Sequence, residues 1–291
     1  MKEINVIAPA KLNLSLDVVG TDERGYHLLD MIMQSVSVFE RLTLTQQDTI
    51  SITSNARFIP TDEKNTAVKA AIRFFEYTKI KGGVHIYVKK AVPIKAGMAG
   101  GSADAAGVIV GLDYMYGTKL SMEQMCEIGI ATGSDVPFML RGGTKRVQGT
   151  GEIVLSAPPM PNCYFVICMP SKGVSTPQAF ENYDKLQEKT KVETERLIAS
   201  IKNKNLAEIA RYMANDLEKA AGSSDTQPIR QQLLEQGALG SLMTGSGSAV
   251  FGLFDNGEKA EAAVSYFRGK VKSVFLARPV SFGASVKKKK S

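Results

Sequence analysis

The sequence predicts an α+β fold in two domains, on three observations. Between residues 3 and 54, apolar and polar residues alternate with the period of strands, as in Leu12, Leu14, Leu16 and in Leu42, Leu44. Around Gly97 a strand passes through a glycine-rich loop into a helix. Ala157-Pro158-Pro159-Met160-Pro161 then interrupts both periods, because proline stops a helix and a central strand alike. That linker sets the expected domains at 1–156 and 157–291, and a chain of 291 residues is long enough for a large core in one or two domains.

Composition narrows the class. With 44% hydrophobic residues the chain is globular rather than disordered, and a formal charge of +7 admits nucleic acid, a membrane surface or a polyanionic small molecule as partner. Part of that charge is the terminal run Lys287 to Lys290, which reads as a solvated, mobile end. Cys126, Cys163 and Cys168 are odd in number and wrongly spaced for a disulfide framework or a zinc site, so a reducing cytoplasm is the expected compartment. The N-terminal apolar run is broken by Lys11 and Asn13, which argues against a secretory signal, and no stretch is long and apolar enough to span a bilayer. His27 and His85 stand outside any metal-ligand pattern, so a metal is expected to arrive with a substrate rather than to bind a protein site.

Taken in order, residues 3 to 20 form a strand with Leu12, Leu14, Leu16 and Val18 on one face and Lys11, Asn13, Ser15 and Asp17 on the other. A polar turn at Thr21 to Arg24 leads to Gly25-Tyr26-His27, and strands continue from 31 to 54. Asn65 opens a helix carrying Val68, Ala71, Ile72 and Phe75 on one side. Val84, Ile86 and Val88 mark the next strand, and Ala105, Val108, Ile109, Leu112 and Met115 the helix after the loop. A helix from Ser121 ends near Gly133, where Gly133-Ser134-Asp135-Val136-Pro137 puts a carboxylate at a helix-end turn; local sequence makes Asp135 equally a cap and a reactive group. Residues 141 to 155 form a strand pair. Beyond the linker come a buried strand at Tyr164 to Met169, a helix from Thr176 with Pro177 in its first turn, and helices at 193 to 202, 205 to 220 and 228 to 236. Met243-Thr244-Gly245-Ser246-Gly247-Ser248 is a small-residue turn before Val250, Phe251 and Leu253. A helix at 257 to 268 and a strand at 273 to 279 close the chain, with no internal repeat.

The loop carries the chemistry. In Pro93-Ile94-Lys95-Ala96-Gly97-Met98-Ala99-Gly100-Gly101-Ser102-Ala103 the glycines let a backbone approach a ligand, and the helix that follows aims free N–H groups into the loop, which suits an anion. No Lys-Ser or Lys-Thr follows the last glycine and the spacing is not G-x-G-x-x-G, so neither of the two commonest phosphate loops is present. The stretch resembles the phosphate-binding loop of the GHMP kinases. In Gly97-x-Ala99-Gly100-Gly101-Ser102-x-Asp104-Ala105-Ala106 it looks most like the branch acting on a cytidine diphosphate-linked methylerythritol. Pro9-Ala10-Lys11-Leu12-Asn13-Leu14, Gly25-Tyr26-His27 and Met243 to Ala249 resemble further motifs of that branch, in the same order.

The resemblance implies an N-terminal domain like one of the small ribosomal subunit and a ferredoxin-like C-terminal α/β sandwich. It implies transfer of the ATP γ-phosphate to the 2-hydroxyl of 4-diphosphocytidyl-2-C-methyl-D-erythritol, in isoprenoid synthesis without mevalonate. Lys11 and Asp135 become the catalytic pair, Pro93 to Ala103 the cradle of ATP, and Asn65 and Lys90 neighbours of the adenine. Asn13, Tyr26, His27, Thr176 and Phe180 become acceptor contacts, with Tyr26 and Phe180 stacked on the cytosine. Mg²⁺ would come with the nucleotide, with Ser102 as its expected protein hydroxyl. Ser102-Ala103 and Met98 depart from the common pattern of two serines and a leucine, which removes one hydroxyl from the phosphate or metal. The expected partner is a small molecule, with no nucleic acid or membrane, and the expected assembly a monomer or weak homodimer. Two rivals stand beside this reading. A GHMP kinase with a baseless acceptor, such as homoserine or mevalonate, would make Tyr26 and Phe180 packing residues. A nucleic-acid-binding protein would use the basic charge, although the basic residues are scattered and show no aromatic-basic motif.

Overall fold

Two antiparallel strands, β1 (Glu3–Thr21) and β2 (His27–Gln47), form the spine of a computed structural model that describes residues 2–56, 59–221 and 225–287. β3 (Ile50–Ser54), α1 (Thr66–Thr78), β4 (Gly83–Lys89), α2 (Gly100–Tyr116), α3 (Met122–Ile130), α4 (Val136–Arg141), β5 (Thr144–Gly149) and β6 (Ile153–Ser156) complete the first half. The second half runs β7 (Tyr164–Met169), α5 (Thr176–Asp184), α6 (Thr194–Lys202), α7 (Leu206–Tyr212), β8 (Ala214–Asn215), α8 (Thr226–Glu235), β9 (Gly240–Met243), β10 (Val250–Phe254), α9 (Gly257–Phe267), β11 (Ser273–Ala277) and β12 (Ser285–Val286).

The larger sheet follows the order β12-β1-β2-β4-β3, with β5 and β6 branching from the first part of β2 and β8 pairing with β1. The smaller, antiparallel sheet has the order β11-β7-β10-β9, and its chain path is the β-α-β-β-α-β of a ferredoxin-like sandwich. This α+β architecture agrees with the expected fold class. The smaller sheet lies wholly beyond the proline linker, yet the 157–291 half also lends β8 and β12 to the larger sheet. Among the described residues no helix is long and apolar enough to cross a membrane.

Three local readings change, and one segment left without a reading takes form. The alternation along β1 is interrupted by β-bulges between Pro9 and Ala10 and between Asn13 and Ser15. Each bulge shifts the side-chain phase, so Leu12 and Leu14 enter one apolar cluster while Leu16, with Val18 packed against it, enters the other. The expected helix over 205 to 220 stops at Tyr212, because Ala214 and Asn215 pair in parallel with Ser15 and Leu16. The apolar segment after Asp135 is a short helix, α4. Finally, of the lysine run, Lys288 to Lys290 lie outside the described residues, while the Lys287 N–H donates to Asn5 O at 2.8 Å.

α2 is the axis on which the site is built. It lies against β1 and β2 and is buried on nearly every side, which its run of small residues permits. A Cβ on Gly111 would come within 2.3 Å of Leu44 Cδ1, so only glycine allows this close approach. At its other end Ala99 takes a left-handed conformation (φ 56°) and no side chain caps the helix. The first N–H groups are therefore left to the loop.

Candidate active site

The loop from Pro93 to Gly101 meets β1 and the turn at Gly245 in a continuous hydrogen-bonded seam. The Lys11 N–H donates to Met98 O at 3.2 Å, and the Ala249 N–H to Ala96 O at 3.2 Å. Asn13 N donates to Thr244 Oγ1 at 3.0 Å. Asn215, placed by the β8 pairing, donates from Nδ2 to both Met243 O and Gly245 O at 2.8 Å. Thr176 Oγ1 and Ser246 Oγ lie 2.7 Å apart, which joins the start of α5 to the same turn.

Packing between neighbours explains the loop glycines. A Cβ on Gly97 (φ +72°) would lie 2.1 Å from Thr244 O, one on Gly100 3.1 Å from Val92 Cβ and Glu40 Oε1, and one on Gly101 3.1 Å from Thr66 Oγ1. The absent side chains would thus have pointed into protein. Beside the expected access for a ligand there is a second reason: glycine lets the loop fit among its neighbours.

A cavity of about 960 Å³ opens over this seam. It is lined by Lys11, Asn13, Tyr26, His27, Asn65, Lys90, every residue from Pro93 to Gly101, Asp135, Thr176 and Phe180, together with Asp104 and Gly245 to Gly247. Ser102 and Ala103, both expected at the phosphates, do not line it; Ala103 is fully buried. Such a volume is at the upper end for small-molecule sites.

Lys11 is 4% exposed, which removes it from the edge lysines that merely block pairing. Burial lowers its pKa, and the negative charge of Asp135 opposes that shift. Its ammonium donates to Asn13 Oδ1 and not to Asp135. Asp135 stands at the N-terminal end of α4, but its carboxylate accepts no cap bond, so it is not occupied in holding the helix.

Across the cavity, Phe180 stacks on His27, with centroids 4.6 Å apart and planes 22° from parallel, and His27 Nε2 lies 2.8 Å from Asp184 Oδ1. Tyr26 is 61% exposed beside them, with the Arg24 guanidinium 5.3 Å from its ring centroid. Tyr26, expected on one face of a cytosine with Phe180 on the other, thus stands exposed at the cavity wall, while Phe180 packs on His27. Asn65 holds α1, accepting from the Ala67 N–H at 2.9 Å and donating to Pro60 O at 2.8 Å. Lys90 lies between two buried carboxylates, 2.5 Å from Glu40 Oε1 and 2.7 Å from Asp104 Oδ2.

Residues 65–143 match the N-terminal domain of the GHMP kinases, and residues 197–273 match their C-terminal domain. A 4-diphosphocytidyl-2-C-methyl-D-erythritol kinase of Clostridium perfringens is 38% identical over 280 residues, covering 94% of this chain and 97% of that protein. The chain belongs to the GHMP kinases. A kinase of the same name from Clostridium acetobutylicum is 38% identical over 95% of this chain and all of the relative. Among solved structures, a 4-(cytidine 5'-diphospho)-2C-methyl-D-erythritol kinase superposes with a TM-score of 0.79 at 27% identity, covering 95% of this chain and 99% of the other. A homoserine kinase from Cytophaga hutchinsonii reaches the same TM-score at 22% identity, covering 99% and 98%, which shows the shared fold.

As a GHMP kinase the chain is an ATP-dependent small-molecule kinase. Reasoning from sequence missed Glu40, Asp104 and Asn215. Asp104 sits inside the recognised loop motif, and its position one turn into a buried helix was the available signal. Glu40 and Asn215 gave none, since both depend on pairings far apart in sequence.

Proposed function

We propose that this GHMP kinase transfers the γ-phosphate of ATP to the 2-hydroxyl of 4-diphosphocytidyl-2-C-methyl-D-erythritol, in isoprenoid precursor synthesis without mevalonate. One observation carries the reading: a single cavity joins the glycine loop to an aromatic wall of Tyr26, His27 and Phe180. A phosphate cradle at one end and flat rings at the other suit an acceptor that bears a base. The likeness to the clostridial kinases of that name over nearly the full chain supports it.

In this reading Pro93 to Gly101 and the uncapped start of α2 hold the triphosphate with backbone N–H groups. Asp135 accepts the proton of the attacking hydroxyl, and Lys11, held at the cavity wall, offsets charge on the transferred group. Phosphoryl transfer needs little more from the protein than this positioning. Among the described residues no three His, Cys, Asp or Glu side chains are grouped to hold a metal, and the loop wall offers N–H donors instead of a carboxylate cage. That donor set suits the phosphates, so an ion would be carried by the nucleotide; Ser102, expected as its protein hydroxyl, does not line the cavity. When bound, Mg²⁺ would supply positive charge to offset that of the phosphates. A monomer or weak homodimer in the cytoplasm goes with this reading.

The test is ADP release with a panel of acceptors. The cytidyl acceptor is expected to turn over, and homoserine and mevalonate to be ignored, because a site shaped for a base leaves polar groups unpaired when none enters. Comparable turnover of homoserine or mevalonate overturns the assignment of the acceptor.

A further inference from the structure

Glu40, Lys90 and Asp104 form a buried charge cluster at the foot of the glycine loop, with Lys90 and Asp104 at the edge of the cavity. Their side chains are 0%, 11% and 9% exposed, and they come from three elements. Glu40 projects from β2, Lys90 follows the last residue of β4, and Asp104 lies in the first turn and a half of α2. Two charges of one sign and one of the other, taken out of water, cost more than an apolar cluster of the same size would. Burial pushes the Asp104 carboxyl up to about 7 despite Lys90 beside it, and Asp104 Oδ1 has no hydrogen-bond partner. Packing alone does not account for such an arrangement.

Its contacts fall on both ends of the loop. Before it, Glu40 Oε2 accepts the Ala91 N–H at 2.9 Å and Glu40 Oε1 lies 2.5 Å from Lys90 Nζ. After it, the same Oε1 lies 3.1 Å from where a Cβ on Gly100 would stand. Lys90 carries the connection on, donating to Asp104 Oδ2 at 2.7 Å. The chain Glu40–Lys90–Asp104 thus ties the residues that lead into the loop to the helix that leads out of it.

We propose that Glu40, Lys90 and Asp104 are positioning residues that clamp the two ends of the glycine loop, holding its N–H groups in the arrangement that receives the ATP phosphates. The proposal rests on the loop being the nucleotide site. A loop whose ends are already fixed loses less freedom on binding, so the clamp contributes to ATP affinity and little to the acceptor. Lys90 and Asp104 reach the cavity wall beside the loop, but the cluster takes no part in proton transfer.

The experiment compares steady-state constants of the wild type with those of Glu40→Gln, and of Asp104→Asn, which removes a charge with almost no change of shape. Each variant is expected to raise KM for ATP about 10-fold, the scale of one charge-assisted hydrogen bond. The turnover number at saturating ATP and KM for the acceptor should stay within about 2-fold. A merely structural cluster would lower melting temperature and the active fraction while leaving both KM values in place, and that result overturns the proposal. So does an equal rise in both KM values. Lys95→Ala, which removes an exposed loop charge at the cavity wall, is run in parallel and separates the causes of failure. If it moves KM for ATP and the cluster variants do not, the clamp alone is wrong; if it also leaves KM for ATP unmoved, the loop assignment falls and the clamp with it.

Discussion

At the scale of residues, the polar side chains of β1 and α2 show how far sequence carries. Lys11, Asn13 and Ser15 were legible as one polar face of a strand, but their burial was not, because it depends on α2 and the Gly245 turn closing over them. The phase shift that divides Leu14 from Leu16 had no local signal either, since a bulge is defined by the partner strand. Asp135 was legible as a carboxylate at a turn, and its proposed role gives a direct expectation. Asp135→Asn should keep ATP binding, followed by calorimetry, and lower turnover at least ~10²-fold, the usual scale for a positioned base. Asp104 gives a pH dependence with a definite sign. Its pKa of about 7 lies above the ordinary carboxylate value, so the folded chain holds a proton that the unfolded chain releases. The protonated form favours folding, so stability from this group is full in acid and declines as pH rises from about 4 to about 7. Urea unfolding of wild type and Asp104→Asn across that range should show the decline in wild type and a flatter profile in the variant.

Elements with a strong period were read correctly, and those set by distant pairing were not. α1, α2, α9 and the β5–β6 pair follow from their own patterns and caps, such as the Asn65 bond to Ala67. α7 was read too long because the helical period continues past Tyr212 while the backbone is drawn into β8. Two-residue strands such as β8 and β12 carry no pattern of their own. β8 nevertheless sets Asn215 under the Gly245 turn, where it bonds two backbone carbonyls. Asn215→Ala would leave buried carbonyls unpaired and should cost ~1 to 3 kcal/mol, read by denaturant unfolding. The glycine loop was legible as a turn between a strand and a helix from its composition. The reason for its glycines was not, since the clashes at Gly97, Gly100 and Gly101 are with residues from other elements.

At the scale of the whole molecule, the sequence placed four motifs in order, and the fold brings them around one cavity. The linker at Ala157 was legible, whereas the return of β8 and β12 to the first sheet was not, because strand partners so distant in sequence leave no trace in composition. That return carries the second half of the chain back onto β1, the strand that holds Lys11 and Asn13. The central claim is that both substrates meet in this cavity, with the acceptor's base held by aromatic side chains opposite the loop. The most direct measurement is the Michaelis constant of each substrate in Tyr26→Ala beside wild type, followed by ADP release with the cytidyl acceptor. Tyr26 is exposed, so its loss should leave the fold intact. Loss of one stacking face is worth about 1 to 3 kcal/mol, so KM for the acceptor should rise about 5- to 150-fold while KM for ATP stays within about 2-fold. An unmoved acceptor KM, or an equal rise in both constants, would contradict the account.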